Sequence, residues 1–317
     1  MTLRLHGDTL ARGALLDFAV NVWPARPAEL DRALERALAR SSGYPDETRA
    51  RDAVAARHSR RRDEVLLLNG ACEAFWLLAH ALRPKHAAVV HPSFTEAEAA
   101  LVAVGCEVER VFREPEAWTF DPAAVPADAE LVVVGNPNNP TGGIDPSLQA
   151  AGLVVVDASF SDFVPFEPNG DVVIRSLTKL WSLAGIRAGY LLAPAEVVAR
   201  LEAQRQPWSV NALACAALEL CAADAATPAR VAAEVAEARA ELLASLESLP
   251  LRVWPGVANF LLVELEDGHR VVDDLHARGI AVRPCASFPG LDERYIRIAV
   301  RTRSDNEQLV AALAEVV

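Results

Sequence analysis

Short uninterrupted apolar runs alternate with helical spacing through the middle of the chain. Residues 65–68, 87–90, 131–134, 153–156, 172–174 and 189–192 are such runs, flanked by polar or turn-forming residues. Strands this uniformly apolar belong to a sheet covered on both faces, as in α/β folds. Residues 72–82 and about 95–104 have helical character, so the alternation predicts mostly parallel pairing through right-handed crossovers.

Beyond Pro194 the pattern changes. A long alanine-rich helical stretch runs from about 212 to 246, followed by an apolar run at 260–264 and a helix near 270–278. Strands are expected at 281–283 and 295–300, and a last helix after residue 304. This α+β pattern is distinct from the middle of the chain. It predicts a large α/β domain over 40–245, and a smaller α+β domain built from 1–39 and 246–317. No internal repeat or low-complexity segment interrupts either.

Composition fits this picture and removes some partners from it. Apolar residues make up 52% and charged residues 23% of the 317, enough for sizeable cores. A net charge of -12 argues against nucleic acid, which needs a basic face, but leaves room for an arginine pocket binding small anions. The five cysteines are scattered without a CxxC pair, as expected in a reducing compartment and against a metal site. Residues 1–16 carry His6, Asp8 and Arg12 where a secretory signal needs an apolar run, and no segment reads as a membrane span. The expectation is a cytoplasmic protein without membrane partners.

Four segments carry candidate chemistry, each where an expected strand ends, the place where open α/β sheets bind ligands. Leu68-Asn69-Gly70-Ala71-Cys72-Glu73 runs from strand to helix through small residues. It is an ordinary tight turn or, with Gly70 admitting close approach, an anion site on the helix N-terminus. Asn136-Pro137-Asn138-Asn139-Pro140-Thr141-Gly142 is a rigid turn that can also aim an amide at a ligand. Asp157 ends the run Val154-Val155-Val156; it is either a solvated loop carboxylate or a buried one in need of a cation, which it would hold protonated. Lys179, in Ser176-Leu177-Thr178-Lys179, is one of only two lysines (with Lys85) beside 29 arginines, 31 basic residues less these two. A chain that otherwise uses arginine for positive charge has placed there an amine, which can form a Schiff base and act as a base.

Asn-Pro-Asn-Asn-Pro-Thr-Gly, then Asp157, then Ser-x-Thr-Lys with Gly185-Ile186-Arg187-Ala188-Gly189-Tyr190, resembles the class I/II aminotransferases of fold type I in order and spacing over nearly the whole chain. The resemblance implies the aspartate-aminotransferase fold and pyridoxal 5′-phosphate (PLP) as cofactor. It implies Lys179 as the Schiff-base lysine and proton shuttle, and Asp157 as the partner of the pyridinium nitrogen. Asn139 would bond the ring's phenolic oxygen and Phe94, in His91-Pro92-Ser93-Phe94, would stack on the ring. Ser176, Arg187 and the N–H groups of Ala71 and Cys72 would hold the phosphate beside Gly70. Tyr44, in Gly43-Tyr44-Pro45-Asp46, resembles the tyrosine that reaches the neighbouring subunit's phosphate, which implies a homodimer. Arg297, in Tyr295-Ile296-Arg297-Ile298, matches the arginine that grips the substrate carboxylate; on its own it reads as an edge-strand arginine.

Leu5-His6-Gly7-Asp8, Leu16-Asp17-Phe18-Ala19-Val20-Asn21, Pro207-Trp208-Ser209-Val210-Asn211, and Phe160 in place of a tyrosine are similar to the cobalamin-biosynthetic branch, the threonine-phosphate decarboxylases and their aminotransferase-like relatives. Histidinol-phosphate aminotransferase is a near neighbour, and a PLP-binding protein without turnover is a third reading. A phosphorylated amino acid is the implied substrate, with His6, Asn21 and Arg283 as candidates for its phosphate pocket. One departure stands out: only residues 143–156 separate Gly142 from Asp157, too few for a full crossover helix before the strand. That face of the sheet is therefore expected to be partly uncovered.

Overall fold

A computed structural model describes residues 7–145 and 149–317. The first elements in chain order are a four-residue helix α1 (Gly7–Leu10), β1 (Leu16–Asp17), α2 (Ala28–Leu38), α3 (Thr48–Arg57), β2 (Val65–Asn69) and α4 (Cys72–Leu82). Then come β3 (His86–His91), α5 (Glu96–Ala103), β4 (Glu107–Phe112), β5 (Leu131–Gly135), β6 (Leu153–Asp157), β7 (Val172–Ser176) and β8 (Ala188–Leu192). The remainder is α6 (Ala195–Glu202), α7 (Ala212–Ala223), α8 (Ala226–Leu246), β9 (Arg252–Trp254), β10 (Phe260–Glu264), α9 (Gly268–Ala277), β11 (Ile280–Ala281), β12 (Arg283–Pro284), β13 (Tyr295–Ala299) and α10 (Arg303–Val316).

Seven strands form one sheet in the order β2-β8-β7-β6-β5-β3-β4. All pairings are parallel except those of β8, which runs antiparallel to both β2 and β7. The sheet is therefore mostly parallel, as its apolar strands predict. One face carries Leu66, Leu68, Val89, Val133 and Ile174 against α4, α5 and α6; the other carries Leu67, Val90, Val134, Val156 and Tyr190. Each fully buried aliphatic side chain contributes about 1.5–3 kcal/mol, so a sheet sealed on both faces is a rigid platform for the loops at its strand ends.

The short crossover does not leave that second face open. Among the described residues no helix joins β5 to β6. Yet Val154 and Val156 are only 3% and 2% exposed, because they share a cluster with Phe163 and with Val231 and Val235 of α8, which takes the cover that a crossover helix would give. The crossover itself is tied down at Asp145. Arg113 forks onto its carboxylate with two 2.6 Å bonds, and the Asn136 side chain brackets its backbone N–H and C=O at 3.2 and 3.0 Å.

A four-stranded antiparallel sheet, β12-β13-β10-β9, forms the second core with α9, α10 and the C-terminal half of α8. β13 lies between β12 and β10, so Arg297 is on an interior strand, not an edge strand. β1 pairs with β11, and Phe18 is buried in this second core. The following α2 goes elsewhere. Its apolar stripe, Leu30, Ala33 and Leu34, is buried, and Leu30 and Leu34 pack in the core of the large sheet.

Two further expectations change. The alanine-rich stretch is two helices bent by 84°, because Asp224 caps α8 by accepting from Ala226 N, Thr227 N and Thr227 Oγ1, with Pro228 in the first turn. β4 is an additional edge strand whose polar Glu107, Glu109 and Arg110 hid it from an apolar-run reading. Among the described residues, no single helix is long and apolar enough to cross a membrane.

Candidate active site

The carboxyl ends of β2, β5, β6 and β7 face the second sheet across a cavity of about 470 Å³. Lys179, in the turn after β7, lines it, and its Nζ lies 6.0 Å from the Phe160 ring centroid. Burial pulls the Lys179 amine down to about 8, with help from the nearby positive charges of Arg297 and Arg187 and against the pull of Asp157 and Asp8. An amine at that value is substantially neutral, hence nucleophilic, in a mildly alkaline medium.

Asp157 ends β6 on the same wall. Its Oδ1 accepts from Ser159 N (3.1 Å) and Ser159 Oγ (2.6 Å). Burial nevertheless pushes the carboxyl above its ordinary range, outweighing these bonds and the charge of Lys179. A carboxylate so desolvated is a receptor for a buried cation.

Asn139 reaches the cavity from the turn after β5. That turn is held by Asn138, whose Nδ2 donates to Pro92 O and whose Oδ1 accepts from Thr141 N and Oγ1. Arg297 Nη1 donates to Asn139 Oδ1 at 2.6 Å. Since a guanidinium only donates, this fixes the amide's orientation and leaves its NH₂ for a ligand. Phe94, in the loop after β3, contributes an aromatic wall.

At the N-terminus of α4 no side chain caps the helix. Gly70 has φ +79°, and a Cβ there would sit 2.3 Å from Nη2 of Arg187. The glycine thus makes room for a guanidinium over the helix start, beside Cys72 and Ala184 on the cavity wall. Gly189 has a similar purpose in β8: a Cβ would lie 2.6 Å from Ala71 N, so glycine lets the turn pack on the sheet. This is a cradle of the kind a phosphate group needs: an uncapped helix start, a guanidinium beside it and no side chain in between. Ser176 is buried nearby, with Oγ 2.7 Å from Thr178 Oγ1, but does not line the cavity.

The opposite wall comes from the second sheet and the segment after β1. Arg297, 6% exposed, also donates from Nη2 to Ala19 O at 2.7 Å. Arg283 donates from Nη2 to Ser287 Oγ at 2.7 Å. Burial pulls both guanidinium groups below their ordinary values. Asn21 is 2% exposed, and neither its Nδ2 nor its Oδ1 has a hydrogen-bond partner among the described residues.

The structure therefore gathers Lys179, Asp157, Asn139, Phe94, Cys72, Arg187, Arg297, Arg283 and Asn21 around one cavity, with Gly70 beneath Arg187. Tyr44 stands apart. It is 79% exposed and stacks on Trp208 with ring centroids 4.4 Å apart, away from the cavity of its own chain. His6 lies outside the described residues. Sequence reasoning missed Asp8, Ser159 and Glu96, which also line the cavity. Glu96 is 3% exposed and accepts from Trp76 Nε1 at 3.1 Å; a charged residue opening an apolar helix was the available signal.

Comparison with known proteins agrees over the whole length. The family model of aminotransferase class I and II matches residues 9–313. A histidinol-phosphate aminotransferase of Mycobacterium tuberculosis is 46% identical, over 98% of this chain and 90% of its own. The threonine-phosphate decarboxylase of Salmonella typhimurium is 36% identical, over 96% of this chain and 91% of its own. The crystal structure of the histidinol-phosphate aminotransferase from Clostridium acetobutylicum superposes with a TM-score of 0.89 at 26% identity, covering 95% of this chain and 99% of that one.

Proposed function

The chain belongs to the class I and II aminotransferases, PLP-dependent enzymes of the aspartate-aminotransferase fold, and we propose that it acts on a phosphorylated amino acid as a threonine-phosphate decarboxylase. The observation that carries this reading is the wall facing Lys179. Arg283, Arg297 and the unpartnered amide of Asn21 offer more than one carboxylate requires, and suit a substrate with two separate anionic groups.

When bound, PLP would supply an electron sink for the electrons of the substrate bond that breaks. In this reading the chain's own residues prepare that event. Lys179 would hold the cofactor through its amine and would be the group that carries a proton at the reacting carbon. Asp157 keeps the ring nitrogen protonated, which its desolvated carboxylate favours by needing a cation. The Asn139 amide turns its NH₂ to the ring's phenolic oxygen, an oxygen that Phe160 cannot bond. Phe94 covers a ring face. The phosphate would be held by Arg187 and the N–H groups of Ala71 and Cys72, with Ser176 buried behind them against Thr178. Arg297 takes the substrate carboxylate, and Arg283 with Asn21 takes its phosphate. The stacked, exposed Tyr44 fits a homodimer in which it completes the partner's phosphate site.

Histidinol phosphate is the second candidate substrate, supported by the name of the 46% identical relative. That substrate has a phosphate but no carboxylate, so in the first half-reaction it would leave Arg297 unused. Incubation of the PLP-loaded protein with O-phospho-L-threonine, and separately with histidinol phosphate plus 2-oxoglutarate, decides between them. Release of CO₂ with aminopropanol phosphate supports the proposal; glutamate formed only from the second mixture replaces it. Product from neither, with PLP bound, would mark a cofactor-binding protein without this turnover.

A further inference from the structure

Asn21 belongs to a segment with almost no regular structure, yet its side chain must be held still to recognise anything. The hydrogen bonds of residues 17–22 show what holds it. Each of the six consecutive carbonyls accepts a bond. Asp17 O accepts from Arg301 Nε at 2.5 Å, Phe18 O from Ala299 N at 2.9 Å, and Ala19 O from Arg297 Nη2 at 2.7 Å. Val20 O accepts from Arg301 Nη2 at 2.7 Å, Asn21 O from Asn259 Nδ2 at 3.2 Å, and Val22 O from Arg301 Nη1. The next residue, Trp23, donates its N–H to Lys179 O at 3.0 Å, so the segment ends against the turn that carries the lysine.

One side chain thus spreads its fork over three of the six carbonyls, on both sides of Asn21. Arg301 is 9% exposed, and its own backbone is pinned by Asn306, which accepts from Arg301 N and donates to Arg301 O. Its guanidinium also lies 3.4 Å from the Asp17 carboxylate, whose other oxygen receives Ala19 N and Val20 N. A planar fork of five fixed donors suits this task, and a lysine ammonium cannot span the three acceptors. Arg301 does not line the cavity. It acts on it through the chain segment it grips.

We propose that Arg301 is a positioning residue that sets Asn21 for the distal anionic group of the substrate, and so makes the enzyme selective for phosphorylated over plain amino acids. This rests on the proposed reading of the cavity as a site for a phosphorylated amino acid. Preorganisation of this kind acts first on the contact it aims.

The test uses the PLP-loaded protein, with ligand dissociation constants read from the change in the visible absorption of the bound cofactor. Arg301→Lys should weaken O-phospho-L-threonine about tenfold or more, the worth of one lost hydrogen bond to a charged group, while L-threonine changes less than about twofold. Asn21→Ala should show the same split, and the double variant should lose little beyond Asn21→Ala alone, because both act on one contact. Asn259→Ala, which frees Asn21 O from a different element, should repeat the pattern and takes the place of Arg301→Lys if that variant does not fold. Equal weakening of both ligands, or multiplied losses in the double variant, would overturn the proposal. Hydrogen exchange of residues 17–22, faster in Arg301→Lys, reads the grip without any ligand. If the wild type binds no phosphothreonine while that exchange difference persists, the substrate assignment has failed and the grip has not.

Discussion

Replacing Gly70 by alanine tests the phosphate cradle in two separable parts. The first is backbone: φ at Gly70 is +79°, and placing a residue with a Cβ in that left-handed region costs about 1–2 kcal/mol. The second is local. The new Cβ would meet Nη2 of Arg187 at 2.3 Å and Cζ at 2.7 Å, so the guanidinium must move. It is the far end of a flexible, exposed side chain, so moving it costs the fold little. What it loses is its place over the helix start. A charge-assisted hydrogen bond contributes about 1.5–3 kcal/mol, so PLP affinity should fall roughly tenfold to a hundredfold at 1.4 kcal/mol per decade. Equilibrium titration of the apoprotein with PLP, followed by visible absorption, measures this, and a urea melt of the apoprotein measures the backbone part. Arg187→Ala should lose a similar affinity without the stability cost. PLP binding within twofold of wild type in Gly70→Ala, or a loss there that Arg187→Ala does not share, would refute the reasoning.

The depressed amine of Lys179 predicts that capture of PLP by the apoprotein speeds up as pH rises through about 8, where the amine loses its proton. Arg297→Leu removes a neighbouring positive charge, stabilises the protonated form and should move that midpoint upward; a wild-type midpoint at the ordinary lysine value would contradict this. Asp145→Ala strands the Arg113 guanidinium, whose side chain is fully buried, and should cost about 3–5 kcal/mol in a denaturant melt. A loss under about 1 kcal/mol would mean the crossover is not anchored there. Light scattering should find a dimer, and Tyr44→Phe should leave it dimeric while weakening PLP about tenfold. A monomeric holoprotein, or unchanged affinity in Tyr44→Phe, would count against the shared site.

The central sheet was readable because strands buried on both faces are apolar at every position, and Val65 to Leu68 or Val154 to Val156 cannot be mistaken for solvent-facing chain. β4 escaped that reading because an edge strand has only one neighbour and tolerates Glu107, Glu109 and Arg110. The break between α7 and α8 was written as Asp224, Thr227 and Pro228, but alanine on both sides masked it. Lys179 and Asp157 were legible as candidates at strand ends, where a charged residue after an apolar run needs an explanation, and both lie on the cavity wall. Arg301 was not. Its meaning lies in carbonyls some 280 positions earlier in the chain, and backbone acceptors leave no mark in sequence. The face beneath the short crossover was misjudged for the same reason, since its cover comes from Val231 and Val235, far along the chain.

Helix α8 belongs to neither core alone. Val231 and Val235 near its start are sealed into the large sheet's cluster, while Leu242 and Leu246 at its end are sealed into that of the second sheet. At 21 residues it is about 31 Å of continuous hydrogen-bonded rod. Seen mechanically, it is a shaft driven into two blocks, one holding Lys179 and Asp157, the other holding Arg283 and Arg297. Shear between the blocks would have to bend this rod between Val235 and Leu242 or withdraw apolar anchors from one end. The gap between the lysine and the two arginines is thereby gauged by the length of one helix, and a residue inserted into its middle would advance one wall of the site along the rod by about 1.5 Å and turn it by about 100°.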